Sequence, residues 1–230
     1  MTPLELAGRI TQSRKDDWFH KKWEVETLAA LDGAGTKNVI SSSPPGSGKT
    51  AYWSIILPTY LIYRDPMTHI ILTANSDSLA RLAAQEVLRN VQSPAFQDVC
   101  PLELTQATGT TFTVSGNDGR PTLHSAGIRG QLTGHRAQYL IFDDLLKSLS
   151  EAYSDTVRET VWSAFNSAAE TRLLPNGQIF GIHTRWHLDD PIGKLLKRAR
   201  ENPRARQFRY INLSSTNLHG ESYIEDTRLR

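Results

Sequence analysis

Short apolar runs and longer amphipathic stretches alternate along the first half of the chain, which is typical of strands and helices that follow one another. Residues 38–43 are β-prone, and TAYWSIILPTYLIYRD is apolar enough for a buried helix that Pro58 would kink or end early. THIILTAN predicts a buried strand, and SDSLARLAAQEVLRNVQS predicts a helix capped by Ser76 or Asp77. The apolar residues near helical spacing are Leu79, Leu82, Ala83, Val87 and Val91. This β-loop-α-β-α order predicts a parallel sheet with helices on its faces.

The second half continues the same alternation. TTFTVSGNDGRPTLHSAG has two β-prone runs around a turn-rich centre, which predicts a hairpin, and AQYLIFDD predicts a strand that ends in two acids. Residues 154–172 have a helical pattern, and PNG predicts a tight turn into the strand QIFGIHTRW. We therefore expect one α/β domain over residues 1–212, with an N-terminal segment of about 1–37 and a core of about 38–200. Residues 213–230 are expected to be a polar tail or the start of a linker.

Composition narrows the class of protein. Charged residues make up 22% and hydrophobic residues 39% of the chain, as in globular proteins. The single cysteine, Cys100, excludes an intramolecular disulfide and indicates a reducing compartment. Since no apolar run approaches the roughly 20 residues that span a bilayer, we expect no membrane association. The net charge of +2 is too small to argue for nucleic acid by itself.

SSSPPGSGKT, residues 41–50, is similar to the phosphate-binding pattern G-x-x-x-x-G-K-[ST], with Ser43 in place of the first glycine. Such a loop curls backbone N–H groups around a phosphate at a helix N-terminus and adds a lysine ammonium and a hydroxyl for Mg²⁺. The loop follows a predicted strand and precedes a predicted helix, which favours a nucleotide site over a simple turn. The residues expected to bind nucleotide here are Pro45, Gly46, Ser47, Gly48, Lys49 and Thr50.

YLIFDD and HTRWH end two further predicted strands, and parallel strands bring their carboxyl ends, where ligands bind, to one edge of a sheet. Asp143 suits a carboxylate that holds hydrated Mg²⁺ together with the Thr50 hydroxyl. We expect Asp144 to orient and polarise the attacking water. The alternative, that the two acids only cap the following helix, is weaker once the loop is considered. His183 and His187 lack a third ligand of fitting spacing, so a zinc site is disfavoured.

With these segments in place, the chain resembles the ATPase domain of the large terminase subunit, the DNA-packaging motor of tailed bacteriophages, over about residues 18–200. The matching segments are ISSSPPGSGKT, HIILTANSDSLA, GIRGQLTGHRAQYLIFDDLLKS and TRLLPNGQIFGIHTRWHLDDPIGKLL. The resemblance implies an α/β, RecA-like (ASCE) P-loop NTPase with a mainly parallel sheet, and ATP and Mg²⁺ as cofactors. It also implies a homo-oligomeric ring that works with double-stranded viral DNA, the portal protein and the small terminase subunit, in the host cell cytoplasm.

The resemblance also assigns roles to residues. Lys49 and Thr50 take the Walker A roles, and Asp143 takes the Walker B metal role. Asp144 stands where many terminases have a catalytic glutamate, which is a departure because aspartate is one methylene shorter. Thr184 matches the coupling motif that relays nucleotide state to movement.

An arginine is also expected, because charge that develops on the transferred phosphoryl group needs a cation. Some members of the family carry it inside the Walker A loop, but this loop has none. GIRGQLTGHRAQ offers Arg129 and Arg136, of which we favour Arg129 acting on a neighbouring subunit, since Gly127 and Gly130 would let its loop approach another chain. The alternative for Arg129 is a solvated loop residue.

Two further features stay open at this point. Trp23, with Trp18 and Phe19, has a flat ring suited to stacking on adenine, and core packing is the alternative. Residues 194–209 contain seven Lys or Arg and one Glu, which suits a DNA contact or, equally, a solvated helix face or a subunit contact.

Other classes of function are weighed on the same residues. The family's nuclease domain would need a cluster of acids beyond Asp143 and Asp144, and we expect no nuclease activity from this chain. The rival interpretations are another P-loop ATPase or a small-molecule kinase, which would need an acceptor pocket, and a nucleotide-gated scaffold without turnover. The adjacent acids favour hydrolysis.

Overall fold

The computed structural model of the protein describes residues 1–11, 18–130, 132 and 134–213. The described residues form eight strands: β1 (Asn38–Ser42), β2 (Ile70–Ala74), β3 (Leu104–Ala107), β4 (Thr111–Val114), β5 (Leu123–Gly127), β6 (Ala137–Asp143), β7 (Leu173–Ile182) and β8 (Phe208–Asn212). The predicted tail at 213–230 lies outside the described residues apart from Leu213.

Helices connect these strands on both faces of the sheet. They are α1 (Pro3–Thr11), α2 (Trp18–Leu31), a π-helical segment (Ala51–Ile56) that runs into α3 (Leu57–Arg64), α4 (Asp77–Gln92), α5 (Pro94–Gln97), α6 (Leu149–Tyr153), α7 (Asp155–Arg172) and α8 (Pro191–Glu201). None of the described helices combines the length and apolar character needed to cross a membrane.

All eight strands belong to one sheet in the order β3-β4-β5-β2-β6-β7-β1-β8. Six neighbouring strands are parallel, namely β5, β2, β6, β7, β1 and β8. Strands β3 and β4 add an antiparallel edge. The mainly parallel sheet flanked by helices is therefore confirmed, as is the hairpin formed by β4 and β5. Strand β7 lies between β1 and β6. The three strands that the sequence predicted to end in candidate site residues are therefore immediate neighbours.

Two apolar clusters cover the two faces of the sheet, because neighbouring residues of a strand point to opposite faces. In β6, Ile141 packs into the cluster formed with α2, α3 and α4, whereas Leu140 and Phe142 pack into the cluster formed with α6, α7 and α8. A strand buried on both faces reads as a continuous apolar run. Because both faces of β6 are buried, polar and apolar residues do not alternate in YLIF.

The sequence predicted that Pro58 would kink the helix after the first loop or end it early, and the early end is wrong. The π-helical segment carries the backbone to Leu57, whose N–H donates to the carbonyl of Tyr52, and α3 continues through Pro58 to Arg64. Proline lacks an N–H and is tolerated in the first turn of an α-helix. The change from π to α geometry places Pro58 in such a first turn.

Helix α4 begins after the N-cap Ser76, one of the two predicted caps, whose hydroxyl accepts from the N–H of Leu79 at 3.4 Å. The prediction that Leu79 and Leu82 belong to the apolar face is wrong, since both are about half exposed. The residues of α4 that are buried against the core are Ala80, Ala83, Ala84, Val87 and Val91. The small side chains on this buried face let α4 lie close to the sheet. Leu79 and Leu82 lie beside the buried face of the helix.

The PNG segment is not a tight turn before a strand, as the sequence predicted, but part of β7. Ala137 pairs with Leu173 and Tyr139 pairs with Gln178, so residues 174–177 form a bulge opposite a single residue of β6. The predicted helix at 154–172 is confirmed as α7, with Ser154 as its N-cap.

Candidate active site

Three strand ends meet at one edge of the sheet. Ser41 of β1 and Asp143 of β6 both pair with Ile182 of β7. The residues that follow these three positions therefore emerge side by side: the glycine loop (residues 43–50), Asp144, and the segment that begins at His183. The convergence predicted from the sequence is what the topology produces.

The glycine loop closes through two serines. The Ser43 and Ser47 hydroxyl oxygens are 2.8 Å apart, and the Ser47 hydroxyl donates to the Pro44 carbonyl at 2.9 Å. Gly46 and Gly48 have φ values of +85° and +72°, which L-residues with side chains rarely adopt. Ser43 thus takes the position of the missing glycine with its side chain turned inward, where it holds the loop together.

The side chain of Lys49 turns into the site and joins two partners there. Its ammonium lies 2.6 Å from Oδ2 of Asp144 and donates to Oγ1 of Thr184. The backbone N–H of Thr184 in turn donates to Oδ1 of Asp144 at 2.6 Å. Lys49, Asp144 and Thr184, which the sequence placed on three different segments, form one connected cluster.

Asp144 combines backbone strain with strong electrostatic attraction. Its φ of +40° is unusual for a non-glycine residue, and its carbonyl accepts from the side-chain amide of Asn75 at 2.9 Å. Burial alone would raise the pKa of Asp144, but the neighbouring His183 ring and Lys49 ammonium hold that pKa well below its usual range. Asp144 is therefore a carboxylate at neutral pH, a form that accepts hydrogen bonds from water and can take up a proton from it.

Asp143 lies deeper than Asp144 and is incompletely paired. Oδ2 accepts from the Ser54 hydroxyl at 3.0 Å, whereas Oδ1 is buried without a hydrogen-bond partner. Burial, together with the charge of Asp144, raises the pKa of Asp143 to about 6, and the hydroxyls of Thr50 and Ser54 oppose that rise. An unpartnered buried carboxylate oxygen beside a threonine hydroxyl fits a hard cation such as Mg²⁺. Within the described ranges, no cluster of three or more His, Cys, Asp or Glu side chains offers an alternative metal site.

Replacing Asp143 with asparagine is expected to stabilise the fold at alkaline pH. A raised folded-state pKa means that the stabilising contribution is full below the ordinary value of 3.8 and is lost as pH rises through about 6. Asparagine cannot ionise, so D143N should exceed the wild type at pH 8 by up to about 3 kcal/mol, and the difference should vanish near pH 4. Urea unfolding at both pH values measures this.

The control for that measurement is D118N. Asp118 is exposed and, like Asp143, can be replaced by asparagine without strain, because asparagine readily adopts the positive φ of residue 118. It should change the free energy of unfolding by less than about 0.5 kcal/mol at either pH. A D143N protein that is no more stable than the wild type at pH 8 would contradict the burial of an ionised Asp143.

Both acids are reached from the surface through a groove of about 290 Å³. Its lining includes Leu79 and Leu82 of α4 as well as Thr50, Asp143 and Asp144. The half-exposed leucines therefore line the same groove as the two carboxylates.

Trp23 is not placed to stack on adenine, so that prediction does not fit the structure. Its ring has no exposed surface and packs edge-to-face against Trp53 at a centroid distance of 6.0 Å. The indole N–H donates to the Ser41 hydroxyl at 2.9 Å. The core-packing alternative describes Trp23 and Phe19, which is equally buried, while the side chain of Trp18 is outside the described part of the structure.

Arg129 and Arg136 are both exposed; Arg129 follows the carboxyl end of β5, whereas Arg136 directly precedes the amino end of the parallel strand β6, at the opposite edge of the sheet. Arg129 lies 3.5 Å from Oε1 of Glu151, a surface pair that contributes little to stability. The glycines near Arg129 have a different role from the one predicted. A side chain at Gly127 would come within 2.7 Å of the backbone of Asp77, and one at Gly130 within 2.7 Å of the Asp77 carboxylate, so these glycines are needed for packing against α4 of the same chain.

Three polar residues of the site were not assigned to it from the sequence. Ser54 contacts Asp143 and Asn75 contacts Asp144, as described above, and His183 is fully buried with Nδ1 3.3 Å from Oδ1 of Asp144. That distance allows attraction, although the two groups are not aligned as a hydrogen bond. Asn75 is the last residue of the predicted strand THIILTAN and His183 lies in the polar end of the predicted strand QIFGIHTRW, which is a usable signal, whereas Ser54 lies inside an apolar helix and offers none.

Comparison with known proteins agrees with this geometry. Residues 40–170, more than half of the chain, match the family described as terminase large subunit, T4likevirus-type, N-terminal. The terminase large subunit of Enterobacteria phage T3 is 25% identical over 171 residues, which is 71% of this chain and 28% of that protein. The chain thus spans little more than a quarter of that relative's length.

Two solved structures share the fold. The large terminase of bacteriophage HK97 has a TM-score of 0.56 and 16% identity over 94% of this chain and 44% of that one. A mutant of the large terminase ATPase domain of Thermus phage P74-26 has a TM-score of 0.56 and 14% identity over 94% of this chain and 87% of that one. The RecA-like fold expected from the sequence is confirmed.

Proposed function

Because the chain belongs to the terminase large-subunit family, we propose that it hydrolyses ATP and uses the free energy to move double-stranded viral DNA into a procapsid. The observation that carries this proposal is the cluster of Lys49, Asp144 and Thr184 beside the glycine loop. A lysine that binds the terminal phosphates and a residue that orients the attacking water are recurring parts of nucleotide hydrolysis, and the Thr184 hydroxyl contacts both Lys49 and Asp144.

Each group has a defined task in this proposal. The backbone N–H groups of residues 45–50 bind the phosphates at the N-terminus of the π-helical segment, and Lys49 binds the terminal phosphate oxygens. Thr50 and Asp143 would hold Mg²⁺, which when bound neutralises charge on the phosphates. Asp144 accepts a hydrogen bond from the attacking water and so orients that water.

Thr184 is proposed to report the nucleotide state. In the structure its hydroxyl contacts Lys49 and its N–H contacts Asp144. When Lys49 binds a phosphate, we expect its contacts with Thr184 and Asp144 to change, because the negative phosphate competes with the Asp144 carboxylate for the ammonium. The segment that follows Thr184 leads through Asp190, the N-cap of α8, to the basic stretch at residues 194–209.

The remaining parts of the motor are supplied by assembly. We propose that Arg129 acts on the nucleotide of a neighbouring subunit in a homo-oligomeric ring, with Arg136 as the next candidate. The portal protein and the small terminase subunit are the proposed partners, in the host cell cytoplasm. The motor domain is proposed to be residues 1–212, without nuclease activity of its own.

Phosphate release from ATP by the purified chain, with and without duplex DNA, tests the function. We expect Mg²⁺-dependent hydrolysis that DNA modulates. A small-molecule kinase would release little phosphate without its acceptor, and a nucleotide-gated scaffold would bind ATP without releasing phosphate. Either of those results, obtained with folded protein that binds ATP, would contradict the proposed activity.

A further inference from the structure

His20 of α2 lies directly against the glycine loop. A Cβ atom built on Gly48 would be 2.6 Å from Nε2 and 3.0 Å from Cε1 of His20, closer than real side-chain carbons approach other atoms. The imidazole therefore occupies the space where a side chain at residue 48 would be. Gly48 is constrained twice, by its φ of +72° and by this ring.

The ring of His20 is itself held on two sides. It meets Trp23 edge-to-face at a centroid distance of 5.5 Å and stacks on Tyr52 at 6.3 Å. His20 is only 6% exposed, so the surrounding protein covers nearly all of its side chain. The ring therefore has little freedom to move away from Gly48.

Helix α2 is anchored to the chain on both sides of the glycine loop. Before the loop, the indole N–H of Trp23 donates to Ser41 of β1 at 2.9 Å. After the loop, the hydroxyls of Thr27 and Tyr52 are 2.7 Å apart, and the N–H of Tyr52 donates to the Gly48 carbonyl at 3.1 Å. Along the chain, Gly48 lies between Ser41 and Tyr52, two residues to which α2 is hydrogen-bonded.

We propose that His20 is a positioning residue that preforms the phosphate-binding loop by holding Gly48 in its left-handed conformation. Glycine by itself adopts positive and negative φ about equally, so an unsupported loop would lose conformational entropy when it binds phosphate. A ring wedged against Gly48 removes those alternative conformations before the ligand arrives, which increases affinity. This inference rests on the proposed ATP site, but it concerns affinity and loop order rather than the chemical step.

The test compares two variants that differ by one methylene. His20→Gln carries its amide nitrogen to about the position of Nε2, whereas His20→Asn is too short to reach Gly48. For Mg²⁺-ATP measured by calorimetry, we expect Asn to raise Kd roughly tenfold and Gln to stay within about threefold of wild type. The kcat at saturating ATP should stay within about threefold for both, because Lys49, Asp143 and Asp144 are untouched.

Thr27→Val is the matched control, since it removes a buried hydrogen bond between α2 and Tyr52 without touching the loop. It should lower the melting temperature but leave Kd within about twofold. Hydrogen exchange of the amides at residues 46–50 without nucleotide gives a second readout, in which we expect faster exchange in H20N than in H20Q and the wild type.

Each result bears on a different claim. If the wild type does not bind ATP, the proposed function fails, while the exchange data still test the positioning role. If the wild type binds and H20N matches its Kd and its exchange rates, the positioning role of His20 is overturned. Equal weakening by T27V and H20N would overturn it as well, because the effect would then come from the stability of α2.

Discussion

Replacing Lys49 with alanine is expected to reduce ATP hydrolysis on the order of 10³-fold or more, to the limit of detection. Lys49 is the cation that the structure places inside the site, in contact with both Asp144 and Thr184. Its loss removes the point charge on the terminal phosphates and also leaves the carboxylate of Asp144 without its ion-pair partner. Steady-state phosphate release with folded variant protein measures the effect.

Two further variants make the Lys49 result specific. K197A removes an exposed lysine of α8 and should hydrolyse ATP like the wild type. D144N should retain Mg²⁺-ATP binding while it lowers hydrolysis, since it removes the water-orienting carboxylate and leaves Asp143 in place. Unchanged turnover in K49A would refute the assignment of the site. Equal loss of binding and turnover in D144N would mean that the roles of the two acids are exchanged.

Replacing Arg129 with alanine is expected to leave ATP binding nearly normal and to slow hydrolysis on the order of 10³-fold. Arg129 is exposed, and its surface pair with Glu151 is weak enough to be given up for a phosphate on another chain. An arginine that acts in trans makes the active site a property of the interface. The wild-type rate per subunit should therefore rise with protein concentration until assembly is complete.

Mixing variants separates action in trans from action within one chain. K49A is inactive but still carries Arg129, so it should restore activity to R129A at interfaces where an intact loop meets an intact arginine. E151Q is the control, because it removes the charge that pairs with Arg129 while the amide oxygen can still accept from the N–H of Lys147, and it should hydrolyse within about twofold of the wild type. If R129A and K49A demonstrably co-assemble and the mixture stays inactive, the assignment in trans fails, and Arg136 is tested in the same way.

The local patterns of the chain were sufficient to predict the candidate chemistry. A glycine-containing loop between a strand and a helix, and acids directly after an apolar strand, are short-range signals, because strand geometry carries whatever follows it to the sheet edge. Lys49, Asp143 and Asp144 were located in this way, whereas Thr184 was assigned from the resemblance to the terminase family, and the structure joins Lys49, Asp144 and Thr184 in one cluster.

Long-range packing decided what the local pattern left ambiguous. Trp23 and His20 both lie in α2, and nothing within five residues of either in the sequence reveals that one contacts Ser41 and the other lies against Gly48. Leu79 is apolar yet exposed, because the close approach of α4 to the sheet depends on its small residues instead.

The role of each glycine was likewise decided by the tertiary structure. Gly127 and Gly130 were expected from the sequence to let the loop approach another chain, whereas in the structure a Cβ atom at either position would come within 2.7 Å of Asp77. A sequence determines which side chains are available and at what spacing. Which of them touch depends on contacts between residues far apart in the chain, and such contacts form only when the whole sheet and its helices are in place.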